Sequence, residues 1–195
     1  MKKILLLSVF ALCATLNINA QERESGDIEI APYIGYMSSF FNGDNIDAYD
    51  SRNAISFGVK ADYFFNNRWS LRSGLSYDSM GAEYFGTEAK LDYLNIPINA
   101  NWHFGSTRKW NLNFGVSPGF LLSAEDAGAD AKDLVEPFQL GVSYGIGYKL
   151  EVSEQFSILF DFQGLVGVTN FQKAEGAANN MNAGSGLSIG GVFKL

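Results

Sequence analysis

The chain has 195 residues, 47% of them apolar, with 21 acidic against 14 basic side chains and a formal net charge of −7. That length holds one or two domains, and the acidic balance argues against nucleic-acid binding, which needs a basic stripe. Excision of residues 1–20 would remove two lysines and no acids, taking the charge down by two to −9.

Residues 1–20 read as a secretory signal. Lys2 and Lys3 precede a mostly apolar run over 4–16, and Asn17-Ile18-Asn19-Ala20 ends in a small residue suited to cleavage before Gln21. The apolar run is shorter than the ~20 residues a spanning helix needs. The one cysteine, Cys13, lies inside this segment, and Leu12 stands where a lipoprotein signal wants a small residue. The mature chain would therefore hold no disulfide. No later apolar run reaches spanning length, so a mature chain that enters a membrane does so as a closed barrel.

Residues 21–26 form a short polar leader. The first strand is expected over 27–37, with Ile28, Ile30, Ile34 and Tyr36 on one face and Glu29, Ala31 and Gly35 on the other. A long loop over 38–52 carries Asp44, Asp47 and Asp50. The second strand, 53–65, turns Ile55, Phe57, Val59 and Tyr63 one way and Ser56, Gly58, Lys60 and Asp62 the other. Asn66-Asn67-Arg68 is a tight turn. The third strand, 69–78, sets Trp69, Leu71, Leu75 and Tyr77 against Ser70, Arg72, Gly74 and Ser76. A second longer loop is expected over 79–89.

The fourth strand, 90–104, opposes Leu94, Ile96, Ile98, Trp102 and Phe104 to Asn95, Asn99, Asn101 and His103. After a short turn at 105–108, the fifth strand covers 109–122, a third long loop 123–136, and the sixth strand 138–150. The sixth is the clearest: Phe138, Leu140, Val142, Tyr144, Ile146, Tyr148 and Leu150 alternate with Gln139, Gly141, Ser143, Gly145, Gly147 and Lys149. A short turn at 151–155, a seventh strand at 156–169, a fourth long loop at 170–184 and an eighth strand at 185–195 complete the chain.

The second face of these strands is small and polar instead of simply charged. A narrow closed barrel needs such an interior, because eight strands leave little room. The large apolar face then meets lipid. Connections alternate long and short, the rhythm of a barrel with long outer loops and short periplasmic turns. Trp69 follows the first short turn and Trp102 and Trp110 flank the second, so all three fall at one membrane interface, where amphipathic aromatics collect. Tyr36, Tyr77, Phe120, Phe138 and Phe171 fall near the opposite rim. Pro32, Pro97, Pro118 and Pro137 oppose this reading, because proline cannot donate to a ladder and a closed barrel has no free edge. The fold expected is all-β: an eight-stranded antiparallel up-and-down transmembrane β-barrel over 27–195.

Leu91-Asp92-Tyr93-Leu94-Asn95-Ile96-Pro97-Ile98 resembles the signature Y-L-x-I-P-L of the PorT-like "porin family" barrels of the Bacteroidetes outer membrane. The terminal Phe193-Lys194-Leu195 resembles the assembly signal read by barrel insertion machinery, with Leu where many such barrels end in Phe. The resemblance implies an outer-membrane location, lipid and insertion machinery as partners, and little about activity.

Few residues carry chemistry. His103 is the one histidine and sits by a short turn, at the wrong end for chemistry on the outer leaflet, so no catalysis is expected. Asp44, Asp47 and Asp50 form an acidic loop, a candidate site for a cation or protein ligand, with a spacing unlike an EF-hand. No cofactor or metal is expected. Lys60, Asp62, Arg72, Lys149 and Asp161 face the lumen by parity and should pair, because confined charges must be paired or hydrated. The expected role is structural or interactive, displaying acidic loops. The alternatives are a narrow small-solute channel, a lipid-modifying enzyme and a soluble lipocalin-like barrel with its faces reversed.

Overall fold

The computed structural model describes residues 23–44, 46, 48–174, 176 and 178–195. The expected signal segment, the first residues of the leader and Asp47 lie outside them.

Ten strands follow one another: β1 (Ile28–Gly43), β2 (Tyr49–Phe64), β3 (Trp69–Tyr84), β4 (Thr87–Asn95), β5 (Ile98–Phe104), β6 (Trp110–Asp126), β7 (Ala129–Asp130), β8 (Phe138–Glu151), β9 (Phe156–Gly167) and β10 (Asn180–Lys194). β4 and β5 share one lane, since both pair with β3 on one side and β6 on the other. β7 is a two-residue addition to the end of β6. The remaining pairings run β3–β2–β1–β10–β9–β8–β6, all antiparallel, and close an eight-lane ring. Closure leaves no free edge. At the seam, the Leu195 amide donates to the Ile28 carbonyl at 3.0 Å and Lys194 Nζ meets Asp27 Oδ2 at 2.6 Å.

The alternation read from the sequence places the faces. Ile34, Ile55, Phe57, Leu75, Phe114, Val142, Phe160 and Ile189 stand exposed on the outside, while Lys60, Asp62, Arg72, Asn101, His103 and Lys149 are buried within. Gly147 shows how tight the interior is: a Cβ there would fall 2.6 Å from Asp161 Oδ1 and 2.7 Å from Asn111 Nδ2.

The outer connections are shorter than expected. The loop expected at 79–89 does not exist: β3 and β4 continue to a two-residue hairpin in which Phe85 (φ 48°) and Gly86 (φ 77°) are both left-handed, the type I′ geometry that matches strand twist. Ala127 (φ 52°) and Gly128 (φ 78°) repeat it between β6 and β7. β1 and β2 shorten the first loop to 44–48, and β10 begins at Asn180, within the fourth. Polar and small residues had suggested loops, but residues paired beyond the lipid need no apolar face, so the period-two pattern fades there while the ladder continues.

The fourth expected strand is broken at Ile96-Pro97. The register on either side is unchanged: Asn95 pairs with Gly119 and Ile98 with Val116. Pro118 lies across the same gap and its carbonyl accepts from the Ile96 amide at 2.8 Å. Two prolines thus share one interruption. Pro32 pairs with Val59 on β2 but has no paired partner on β10, so its missing donor falls on that side. Pro137 precedes β8, and its carbonyl accepts from the Leu121 amide at 2.9 Å.

The interior has two zones. Near the termini it is polar and charged. At the far end Met37, Phe41, Met80, Leu91, Tyr93, Leu121, Val135 and Phe171 form an apolar core inside the ring. Phe171, expected at the outer rim, packs inward with its ring 4.6 Å from that of Phe41. Each such buried side chain contributes roughly 1.5–3 kcal/mol relative to exposure.

Candidate functional site

The lumen is built from the terminal mouth upward. Arg23, before β1, is buried: its Nε donates to Glu29 Oε1 at 2.7 Å and its Nη1 to the Arg108 carbonyl at 3.3 Å. Glu29 also receives the ammonium of Lys149 from the opposite wall. The Arg23 and Lys149 cations lie 5.2 and 5.3 Å from the centre of one ring, Phe64, whose face offers them a favourable quadrupole.

One layer further, Asp62 accepts two hydrogen bonds from Arg72, Nη2 to Oδ2 at 2.8 Å and Nε to Oδ1 at 3.1 Å. It also accepts from Ser70 Oγ at 3.0 Å and Asn101 Nδ2 at 2.9 Å. Lys60 Nζ donates to Asp161 Oδ2 at 2.5 Å and lies 4.2 Å from the centre of the Tyr33 ring. Arg72 Nη1 stands 3.7 Å from the same Asp161 oxygen. The structure thus links Lys60, Asp62, Arg72 and Asp161 in one network, while Lys149, the fifth expected lumen charge, pairs with Glu29 in the layer nearer the terminal mouth.

Sequence reading placed Glu29 on the inner face but not in the cluster, and missed Arg23 altogether. Parity was signal enough for Glu29. Arg23 precedes the first strand, so no periodicity points to it.

Beside these charges an amide layer lines the wall formed by β5, β6 and β8. Ser143 Oγ donates to Asn99 Oδ1 at 2.6 Å, and Asn99 Nδ2 to Asn113 Oδ1 at 2.8 Å. A cavity of about 90 Å³ lies between this zone and the apolar core, bordered by Tyr33, Met37, Lys60 and Asp78. Asp78 accepts from Ser76 Oγ at 2.6 Å and Asn95 Nδ2 at 2.7 Å.

His103 points into the lumen and packs against Phe64, the two rings 4.8 Å apart and tilted by 37°. Its Nε2 meets the Ser70 hydroxyl at 3.0 Å, and that hydroxyl also bonds Asp62. The order is serine between histidine and acid, whereas a nucleophile needs the imidazole in the middle. All three are buried. Among the described residues the buried His103 Nδ1 has no hydrogen-bond partner, so no acid orients the imidazole.

Trp69, Trp102 and Trp110 lie on the outside at the terminal end, in a run of neighbouring rings: Trp69–Trp102 at 6.3 Å, Trp102–Phe104 at 5.1 Å, Phe104–Trp110 at 6.3 Å and Trp110–Tyr148 at 4.9 Å. The expected acidic loop is divided. Asp44 is exposed in the 44–48 connection, Asp50 lies in β2 opposite Glu83, and Asp47 is outside the described residues. Among the described residues, no group of three or more carboxylate, imidazole or thiol side chains is placed to hold a metal.

Comparison with known proteins agrees with the architecture. The OprG outer membrane protein of Pseudomonas aeruginosa superposes with a TM-score of 0.55 at 14% identity, covering 90% of this chain and 98% of its own. Neisserial surface protein A gives 0.54 at 16% identity, covering 86% and 97%. The outer membrane protein AlkL, determined in lipid bilayers, gives 0.52 at 12% identity, covering 88% and 91%. No curated protein matches the sequence. Residues 19–173 match the family described as "Outer membrane protein beta-barrel domain". With most of its length matched, an eight-lane antiparallel ring and an apolar belt facing outward, the chain belongs to that outer-membrane β-barrel family.

Proposed function

We propose that this barrel is closed to solutes and acts, without catalysis, as a structural or interaction protein whose far end stands outside the cell. The observation that carries this reading is the double filling of the lumen. Paired charges occupy the periplasmic half and an apolar core the extracellular half. A permeant ion would have to part buried pairs and then cross an unhydrated layer, both costly.

What remains for function is the surface beyond the membrane. There Phe85 projects from the β3–β4 hairpin tip at 83% exposure and Leu134 at 67%, among acids such as Asp44, Asp50, Asp130 and Asp133. Exposed apolar residues ringed by charge suit a protein partner. The motif at 93–98, now seen at the wall break, supports kinship with the PorT-like group.

Purified protein in planar bilayers tests the closed state. Little or no steady current is expected, and large, stable single-channel conductance from the wild type would overturn it. The 90 Å³ cavity favours a narrow channel as the second reading. Under the closed reading, Lys60→Ser with Arg72→Ser should raise conductance from near zero.

A further inference from the structure

A second cavity, of about 170 Å³, opens at the extracellular mouth, above the apolar core and apart from the charged lumen. Phe41, Tyr49 and Phe171 wall it with aromatic rings, Phe41 standing 5.5 Å from Tyr49 and 4.6 Å from Phe171. Leu91 and Val135 add aliphatic surface. Two amides on its lining offer free acceptors toward this mouth. Asn180 is 7% exposed, yet among the described residues its Oδ1 has no hydrogen-bond partner, and neither has the buried Oε1 of Gln172. A buried acceptor without a donor keeps its full desolvation penalty, which a ligand carrying N–H groups would relieve. At the edge stand Glu125 and Asp126, exposed and, among the described residues, in no ion pair.

We propose that this cavity binds a small hydrophobic primary amine in its ammonium form. A comparable cavity of roughly 150 Å³ accepts benzene, so there is room for a ring and a short arm. Aromatic walls suit both the apolar body and the cation. An ammonium has three donors and no acceptor, complementary to two orphaned amide oxygens and two carboxylates. A carboxylate ligand would meet the same groups with repulsion. This site is independent of whether the lumen conducts.

The test uses mature protein in detergent micelles, with methyl NMR of Met80, Leu91 and Val135. The probes are 2-phenylethylamine, 2-phenylethanol and 3-phenylpropanoate at neutral pH. The amine should give saturable shifts at these methyls, and the alcohol should bind roughly threefold or more weakly, within the range of surface charge pairs. The carboxylate should give none. Added salt should narrow the gap between amine and alcohol. Glu125→Gln with Asp126→Asn should bring amine affinity down to that of the alcohol, and Asn180→Leu should weaken both. Heat-modifiable gel migration checks that each variant folds, and the three-probe series on the wild type stands without any variant. Equal binding of amine and alcohol, or shifts that fail to saturate for every probe, would overturn the proposal.

Discussion

Pro97 and Pro118 stand on adjacent rungs of a single seam: Pro97 is opposite Ser117, and Pro118 opposite Ile96, whose amide it receives at 2.8 Å. Pro118 lacks its donor toward Ile96, whereas Pro97, one residue on from Ile96, lacks its donor toward β3, so the two prolines loosen both seams of one lane at a single level. The flanking amides should be the least protected in the ring. Hydrogen exchange in bilayers should run faster at Asn95, Ile98 and Gly119 than at Val142 to Ile146 on β8. Equal protection at the two places would contradict this.

The outer face gives a second prediction. Val142 is exposed to lipid, whereas Ser143 bonds Asn99 inside. Val142→Arg should cost about 2–4 kcal/mol near the bilayer centre, and Ser143→Asn far less. Refolding followed by heat-modifiable gel migration reads the difference. Normal folding of the first with failure of the second would mean the faces are reversed.

Glu29 is the shared partner of Arg23 and Lys149. Glu29→Gln should destabilise by about 3–5 kcal/mol, because two buried cations lose their counter-charge. The triple replacement Arg23→Met, Glu29→Leu and Lys149→Met, which leaves no buried charge unpaired at this layer, should recover much of that loss. Urea unfolding in lipid vesicles measures both, and wild-type stability in Glu29→Gln would remove the ion pair from the account of closure.

Asp27 lies outside the spanning strands. Its hydrogen bond from the Lys194 ammonium, at 2.6 Å, holds the carboxyl below the usual carboxylate range. The folded pKa is the lower one, so the contribution is present above the unfolded pKa and lost as pH falls through the folded one. Asp27→Asn should therefore cost under ~1 kcal/mol at neutral pH, this pair being partly solvated, and nothing at strongly acid pH. A cost that persists in acid would point to packing instead.

Much of this was legible because the membrane imposes a strict period. Val142 and Ser143 differ in environment by one step along the chain, and their chemistry says so. Lys60, Asp62, Arg72, Lys149 and Asp161 were found by parity alone. Beyond the lipid the constraint relaxes, so β3 and β4 were read as ending near Asp78 and Lys90 when they continue to Phe85-Gly86. The inward apolar core escaped notice because Met80 lies in the extension of β3 and Phe171 in a span that reads as loop, while Leu91 and Tyr93, at the start of the fourth expected strand, were given no face. Arg23 escaped because it follows no repeat.

The ion pairs have a consequence for assembly. Lys60 and Asp161 are 101 residues apart, and Lys149 and Glu29 are 120 apart. No single hairpin contains both halves of either pair. A half-built barrel would keep the local pairs Arg23–Glu29 and Asp62–Arg72 but leave Lys60 without Asp161 and Lys149 without Glu29. Insertion that stalls midway is penalised, and the last joining of β1 to β10 releases the accumulated cost at once. The two long-range pairs thus favour the completed ring over a partial one.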